Sequence, residues 1–327
     1  MHLTEQGLLQ TLWFTLGAIV GSFLNVVIAR VPNGESVVRP RSRCPKCGDM
    51  IPGWLNIPVL SWIMLRGRCR ACKNPISVRY PVVELLTALL YLAIGRRFGL
   101  SLGTLAGFIM AGGLIAITFI DIDHWLIPDE IAIPGAIIGL LIRPFAFEAP
   151  WWEGLVGALA GAAALWLVRF VWMVCWKAYV GIRSAIGRAR GTGPYVPEVD
   201  KSEGMGLGDL TLLAMIGGFL GPGGLLPTVL IASVAGTVVG VCLQLVQMVR
   251  GEPEEPVPAE GPAKAPEAPK AAEPKAPADD DDDEDDWVPP PTAVPFGPFL
   301  ALGALAELLF NFRAQLIGEH VLRILQP

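Results

Sequence analysis

Residues 101–121 read SLGTLAGFIMAGGLIAITFID, a run of twenty residues without a charged side chain that ends at an aspartate. A membrane-spanning helix needs about 20 predominantly apolar residues, so this stretch predicts a transmembrane helix. Seven further segments fit the same template: 8–29, 81–98, 131–148, 152–178, 207–220, 223–249 and 294–313. We therefore predict an all-α polytopic membrane protein with about eight transmembrane helices. Segment 207–220 is short and 294–313 opens with prolines, which leaves re-entrant or broken helices open there.

The composition also indicates a membrane environment. Of the 327 residues, 53% are hydrophobic and only 17% are charged, and the mean hydropathy is +0.52. The formal net charge of −5 arises in one segment, 251–291, which holds 14 acidic and three basic side chains, so the rest of the chain is mildly basic. Because no clustered basic stripe of the kind that binds nucleic acid is evident, we expect no nucleic-acid partner.

The distribution of basic residues predicts the orientation of the chain. Residues 1–29 contain no Lys or Arg, which favours a retained transmembrane helix over a cleaved signal peptide. Residues 30–80 contain ten Lys or Arg, and the positive-inside rule places that loop in the cytoplasm. Alternation through the spans then places the turn at 122–130 and the loops at 179–206 and 250–293 on the same side.

Four of the six cysteines form two Cys-x-x-Cys pairs in the basic loop. Cys44 and Cys47 are followed, after 21 intervening residues, by Cys69 and Cys72. Four thiolates at this spacing can converge on one ion from two tight turns, which predicts a zinc-ribbon-like loop with a tetrahedral site. Two disulfides are the alternative, but a cytoplasmic loop is reducing. A structural zinc is expected because four protein ligands leave no open position for catalysis.

A pair of aspartates at helix ends is the second candidate site. Asp121 ends the third predicted span, and Asp209 begins the sixth in the sequence Gly-Met-Gly206-Leu-Gly208-Asp209. The topology places both at the same cytoplasmic depth, so they can meet. Two carboxylates about 3 Å apart cannot both remain ionised, and they then provide a general acid and a general base in one site. The glycines would let an extended peptide backbone approach closely.

Several features near this pair have alternative interpretations. Asp129 directly precedes an apolar helix, where N-capping is favoured over a catalytic role. Asp123 is either an interfacial charge or a site residue, and the sequence does not decide between the two. His124 is interpreted as an interfacial polar residue. A cation transporter that uses the membrane Asp pair is an alternative function, although transport favours acids near the bilayer midplane. A membrane-anchored zinc-ribbon scaffold would leave the pair unexplained.

Taken together, these motifs resemble those of the type IV prepilin leader peptidases with N-methyltransferase activity, which process prepilins and the pseudopilins of type II secretion. The resemblance runs in the same order along nearly the whole chain. The motifs are Gly21-Ser-Phe-Leu-Asn25-Val-Val, Cys44-Pro-Lys-Cys47, Asn56-Ile-Pro-Val-Leu-Ser-Trp62, Arg66-Gly-Arg-Cys69, Arg79-Tyr-Pro-Val-Val-Glu84-Leu-Leu-Thr, Asp121 to Asp129, Gly204 to Asp209 and Pro295-Phe-Gly-Pro-Phe-Leu-Ala301.

The resemblance implies a GxGD-type membrane aspartic protease in which Asp121 and Asp209 are catalytic, with Gly206, Gly208 and Asp129 as supporting residues. It also implies that the enzyme cleaves a short basic leader after a glycine, on the cytoplasmic side of the bacterial inner membrane. The new N-terminal residue is then methylated with S-adenosylmethionine as the donor. The expected partners are prepilin or pseudopilin substrates and membrane lipid.

One position departs from the family pattern, and one segment is an insertion. The family usually has Lys two positions after the second catalytic Asp, where this chain has Thr211. The acidic, proline-rich segment is an insertion that cannot bury a core and is predicted to be disordered.

The sequence predicts five consecutive regions. They are 1–29, first transmembrane helix; 30–80, cytoplasmic zinc-binding loop associated with the methyltransferase; 81–250, transmembrane peptidase core; 251–291, disordered insertion; and 292–327, last transmembrane helix and tail.

Overall fold

The structure is a computed structural model that describes residues 2–44, 46–52, 57–190, 206–250 and 294–311. Its main elements are α1 (His2–Arg30), α2 (Leu60–Met64), α3 (Arg79–Phe98), α4 (Leu102–His124), α5 (Asp129–Ala146), α6 (Trp151–Ala189), α7 (Leu207–Leu220), α8 (Pro222–Arg250) and α9 (Gly297–Phe310). Within these described ranges, β-structure is limited to two isolated bridges in the cysteine loop. The expectation of an all-α fold is confirmed.

All of these helices except the short α2 lie on the segments predicted to span a membrane. In the described chain, four helical stretches are long and apolar enough to cross: Gln6–Asn33, Leu102–His124, Trp151–Ala189 and Pro222–Val249. Helices α7 and α9 are shorter apolar helices of 14 residues each. The structure is consistent with a multi-pass membrane protein, while the number of eight spans stays a prediction.

The end of α6 corrects one predicted boundary. The fifth span was expected to end at residue 178 and to be followed by a loop, but α6 continues to Ala189. The apolar template stops where basic residues begin, whereas Arg, Lys and Ala are themselves good helix formers. The rest of that loop (191–205), the predicted disordered insertion (251–291) and the tail (312–327) lie outside the described residues.

Helix α4 is the central helix of the larger of two compact units, which comprises Met1–Ala235 and Pro295–Pro327. It packs against α1, α3, α5, α7 and α9. Its Leu114, Ile117 and Ile120 side chains are fully buried. By contrast, α6 leaves most of its apolar side chains exposed, as expected of a helix that faces lipid. The smaller unit, Gly236–Val294, is described only over the last part of α8, where most side chains are exposed.

Glycines allow the helices around α4 to approach closely. A Cβ atom at Gly21 of α1 would lie 2.7 Å from the Cα atom of Glu84 in α3. One at Gly161 of α6 would lie 2.5 Å from the carbonyl oxygen of Leu213 in α7. Small residues at such contacts let two helix backbones pack directly against each other. Helix α7, which carries Asp209, is thereby held firmly against α6.

Candidate active site and four-cysteine cluster

Asp121 lies in the last turn of α4, and its side chain is buried, with a relative exposure of 5%. Helix α4 ends at His124, and the C-cap residue Trp125 adopts a left-handed conformation (φ 53°) and donates its backbone N–H to the Asp121 carbonyl at 3.0 Å. The Asp121 carboxylate accepts a hydrogen bond from the backbone N–H of Gly297, the first residue of α9, at 3.1 Å. The first N–H groups of a helix have no partner within it, so this acceptor fits the start of α9.

Gly297 is a site residue that the sequence analysis quoted in a motif without giving it a role. A Cβ atom at this position would collide with the Oδ2 atom of Asp121 and would lie 3.4 Å from the Cδ1 atom of Ile127. The absence of a side chain therefore lets α9 begin directly against the carboxylate. The available signal was a glycine followed by Pro298 at the start of a predicted span, since proline is favoured in the first turn of a helix.

Asp209 lies in the first turn of α7, and its side chain is half-buried. The neighbouring Gly208 packs against Ile127, which also lies beside Gly297, the residue whose N–H bonds to Asp121. The start of α7 and the end of α4 therefore meet beside Ile127, while the direct pairing of the two carboxyl groups stays a prediction. The two carboxylates lie at opposite ends of their helices. The helix dipole favours the negative charge of Asp209 in the first turn of α7 and opposes that of Asp121 in the last turn of α4.

The two glycines that precede Asp209 have different surroundings. A Cβ atom at Gly208 would lie 2.7 Å from the Cβ atom of Ile127, so glycine allows α7 to pack against the segment that follows α4. Gly206 is the N-cap residue of α7, and among the described residues a Cβ atom there would meet only open space and the nitrogen of Gly208. Thr211 donates its hydroxyl to the carbonyl of Gly208 at 2.9 Å. It thus bonds to its own helix.

Three other polar residues were considered near the aspartates in the sequence analysis, and each has its own surroundings. Asp123 forms an ion pair with Arg79 at the start of α3. His124 is exposed. The favoured interpretation of Asp129 as an N-cap is wrong, because Pro128 occupies the N-cap position and Asp129 is the first residue of α5, with an exposed side chain. Its carboxylate is still favourable there, since the first turn attracts negative charge.

The four cysteines that were predicted to bind metal come together. Their Sγ atoms all lie within 4.8 Å of one another, and those of Cys44 and Cys72 are 3.8 Å apart. With Zn–S bonds of about 2.3 Å, the edge of a tetrahedral ZnS₄ site is about 3.8 Å. None of the four is in a disulfide. The sulfur positions therefore fit a single tetrahedral ion.

Each Cys-x-x-Cys pair forms the same tight turn. In both turns the N–H of the first cysteine bonds to the carbonyl five residues later, and the N–H four residues later bonds back to the first cysteine. The residue after the second cysteine is left-handed in both, Gly48 at φ 73° and Lys73 at φ 58°. Glycine adopts this conformation without steric cost, whereas lysine does not.

Backbone N–H groups point at two of the sulfur atoms. Those of Cys47 and Lys46 lower the pKa of the Cys44 thiol to about 7, and that of Asn74 lowers the pKa of the Cys72 thiol. The thiolate is the form that binds metal, so these donors favour the ligating state of both cysteines. At Cys47 the backbone N–H of Asp49 lowers the thiol pKa, but desolvation and the other three cysteine thiols raise it to about 12. The backbone donors therefore favour the ligating state at Cys44 and Cys72 only, while the positions of all four sulfur atoms suit a metal ion.

The fold and the two sites define a class of protein: an all-helical membrane protein that has two aspartates at helix ends and a separate four-cysteine cluster. Residues 15–98 match the bacterial peptidase A24 N-terminal domain, and residues 108–241 match the type IV leader peptidase family. The chain belongs to the type IV leader peptidase family. No solved structure matches it.

Curated relatives extend the similarity over most of the chain. A prepilin leader peptidase/N-methyltransferase of Myxococcus xanthus is 38% identical over 91% of this chain and 89% of its own length. One of Stutzerimonas stutzeri is 37% identical over 74% of this chain and 83% of its own. One of Burkholderia pseudomallei is 33% identical over 90% of this chain and 84% of its own length. These similarities do not support the alternative of a cation transporter.

Proposed function

We propose that this protein is a membrane aspartic endopeptidase of the bacterial inner membrane, which cleaves the leader of type IV prepilins or type II secretion pseudopilins. Cleavage follows a glycine on the cytoplasmic side, and the new N-terminal residue is then N-methylated. The observation that carries the proposal is the buried Asp121 carboxylate at the end of α4, with the start of α7, which bears Asp209, packed against the segment that follows, in a member of this family.

The proposed chemistry uses both aspartates. One carboxylate acts as general base and takes a proton from the attacking water, while its protonated partner donates a hydrogen bond to the scissile carbonyl. The roles reverse when the amine leaves. The Gly297 N–H holds one oxygen of Asp121, which orients the carboxyl group before substrate binds.

We assign a structural zinc ion to Cys44, Cys47, Cys69 and Cys72, because this set of four thiolates completes a tetrahedral coordination shell. The metal would fix the two turns relative to each other and stabilise a loop that has little apolar core of its own. S-adenosylmethionine is the proposed methyl donor, and it supplies an electrophilic methyl group to the new α-amine. The names of the relatives support this second activity.

The proposal is tested by incubating the purified protein in detergent with a recombinant prepilin that retains its leader, with and without S-adenosylmethionine. Mass spectrometry of both products should show cleavage after a glycine in either case, and a mass increase of one methyl group only when the donor is present. An intact prepilin after prolonged incubation would contradict the peptidase assignment. Cleaved but unmodified product would contradict only the methyltransferase assignment.

Replacing Gly297 with Ala is expected to slow prepilin cleavage by about 10- to 100-fold, since the new methyl group displaces either the Asp121 carboxylate or α9, and small displacements of catalytic groups have effects of this size. The matched control is Gly113→Ala in α4, where a Cβ atom would have no neighbour closer than 3.8 Å. Initial cleavage rates of both variants provide the measurement. An unchanged rate for Gly297→Ala would show that its close contact with Asp121 has no role in cleavage.

Deleting residues 255–286 is expected to leave both activities intact at saturating prepilin, because a segment so rich in proline and charge buries little apolar surface. Prepilin leaders in this family are basic, so the acidic segment is expected to raise the local substrate concentration, an effect that physiological salt screens within about 8 Å. The deletion should therefore raise KM at low salt and have little effect at high salt. Loss of turnover at saturating prepilin under both conditions would instead make the segment part of the catalytic structure.

A further inference from the structure

One guanidinium group connects the end of the cysteine loop to the helix turn that carries Asp121. Arg79 is the first residue of α3. It forms an ion pair with the Asp123 carboxylate and donates a hydrogen bond to the backbone carbonyl of Phe119 at 3.0 Å. Its guanidinium carbon also lies 5.0 Å from the centre of the Phe119 ring. Arg79 thus contacts α4 on both sides of Asp121 in the sequence.

The helical geometry explains why Arg79 can make these two contacts without touching the Asp121 side chain. Phe119 and Asp123 are four residues apart and lie on one face of α4, whereas Asp121 is two residues from each and faces roughly the opposite way. Consistent with this, the Asp123 side chain is partly exposed and the Asp121 side chain is buried against Gly297. Arg79 therefore holds the outer face of the turn and does not contact the catalytic carboxylate.

The last turn of α4 needs such support. Two carboxylates, Asp121 and Asp123, lie where the helix dipole is negative and where the final carbonyl groups lack helical partners. A cation at this end is favoured by the helix dipole and by the Asp123 carboxylate. A fork of N–H donors can hold a carboxylate and a main-chain carbonyl simultaneously, which a lysine ammonium does less well. The Arg79 guanidinium therefore opposes fraying of the turn that places Asp121.

We propose that Arg79, paired with Asp123, is a positioning residue for the peptidase reaction, which fixes the last turn of α4 and with it the orientation of Asp121. The inference rests on the proposed function and adds a residue outside the aspartate pair. Because Arg79 is also where the cysteine loop joins α3, the contact makes the geometry of the aspartate pair depend on the position of that junction.

The test compares two Arg–carboxylate pairs in the same protein. Asp123→Asn removes the acidic partner of Arg79, and Glu153→Gln removes that of Arg143, whose ion pair has an N–O distance of 2.7 Å. Arg143 lies near the other end of α5, about 20 Å from the aspartates by helix length. We expect Asp123→Asn and Arg79→Gln each to lower kcat for prepilin cleavage by about 10- to 100-fold with little change in KM. Glu153→Gln should retain the wild-type kcat.

Additional variants distinguish positioning from a general loss of stability. The effects of Arg79→Gln and Asp123→Asn on kcat should not add in the double variant, since they break one contact. Arg79→Lys should have a higher kcat than Arg79→Gln. If Arg79→Gln does not fold, Arg79→Lys is compared with the wild type instead. Wild-type kcat in Asp123→Asn, or an equal loss in Glu153→Gln, would overturn the inference. Failure of the wild-type protein to cleave would instead contradict the proposed function.

Discussion

Replacement of either Asp121 or Asp209 with Asn is expected to abolish leader cleavage while the protein stays folded. Asparagine has nearly the same shape but cannot accept or release the proton that the reaction requires, and loss of general acid or base catalysis costs about 10²- to 10⁴-fold in rate. The carboxyl group of Asp121 accepts the Gly297 N–H bond through one oxygen. An amide oxygen can keep that bond, so the packing of α9 should survive the change.

The measurement is prepilin cleavage by each purified variant, followed by mass analysis, together with the thermal unfolding temperature in detergent. Glu130→Gln is the matched control, because it removes an exposed carboxylate in the first turn of α5, close to the same helix end. It should cleave normally. Near-normal cleavage by either aspartate variant would refute the proposed roles of the pair, whereas joint loss of folding and cleavage would require a milder change such as Asp→Glu.

The positions of the helices were predictable because the membrane imposes a simple length and polarity rule. Residues 101–120 contain no charged side chain, and α4 begins and ends within four residues of the predicted span. The rule fails where a helix continues beyond the apolar part, as α6 does up to Ala189. Apolarity marks the part of a helix that lipid can surround, and helix formation does not require it.

The aspartate pair and the cysteines were predictable for different reasons. Asp121 and Asp209 are rare charges at the ends of apolar runs, which made them candidates for a pair, and the resemblance to the family gave them catalytic roles. The two Cys-x-x-Cys motifs carry their ligand geometry in their spacing. Gly297 and Arg79 were not predictable from spacing, because their roles depend on contacts that bridge 176 and 44 residues of sequence. Such contacts exist only once the helices have packed.

Replacing Cys44 and Cys47 with serine is expected to remove the metal and to impair methylation far more than cleavage. Hydroxyl groups are poor zinc ligands, and two thiolates cannot complete a tetrahedral shell, so the ion should be lost almost entirely. The cysteine turns lie in the loop before α3, whereas Asp121 lies in α4 and Asp209 lies in α7, which packs against α4. Arg79 belongs to α3 and not to the cysteine turns, so the junction and the aspartate pair should keep their geometry when the loop loses its metal.

The variant is to be compared with Cys175→Ser/Cys242→Ser, which also removes two cysteines but from exposed positions outside the cluster. Elemental analysis of protein purified without chelator should give one zinc ion per chain for this control and close to none for Cys44→Ser/Cys47→Ser. Absence of zinc from the wild-type protein would contradict the metal site. Equal losses of cleavage and methylation in Cys44→Ser/Cys47→Ser would show that proteolysis also depends on the loop. Because Arg79 joins that loop to the turn that carries Asp121, such a result would identify the Arg79–Asp123 contact as the physical connection to examine next.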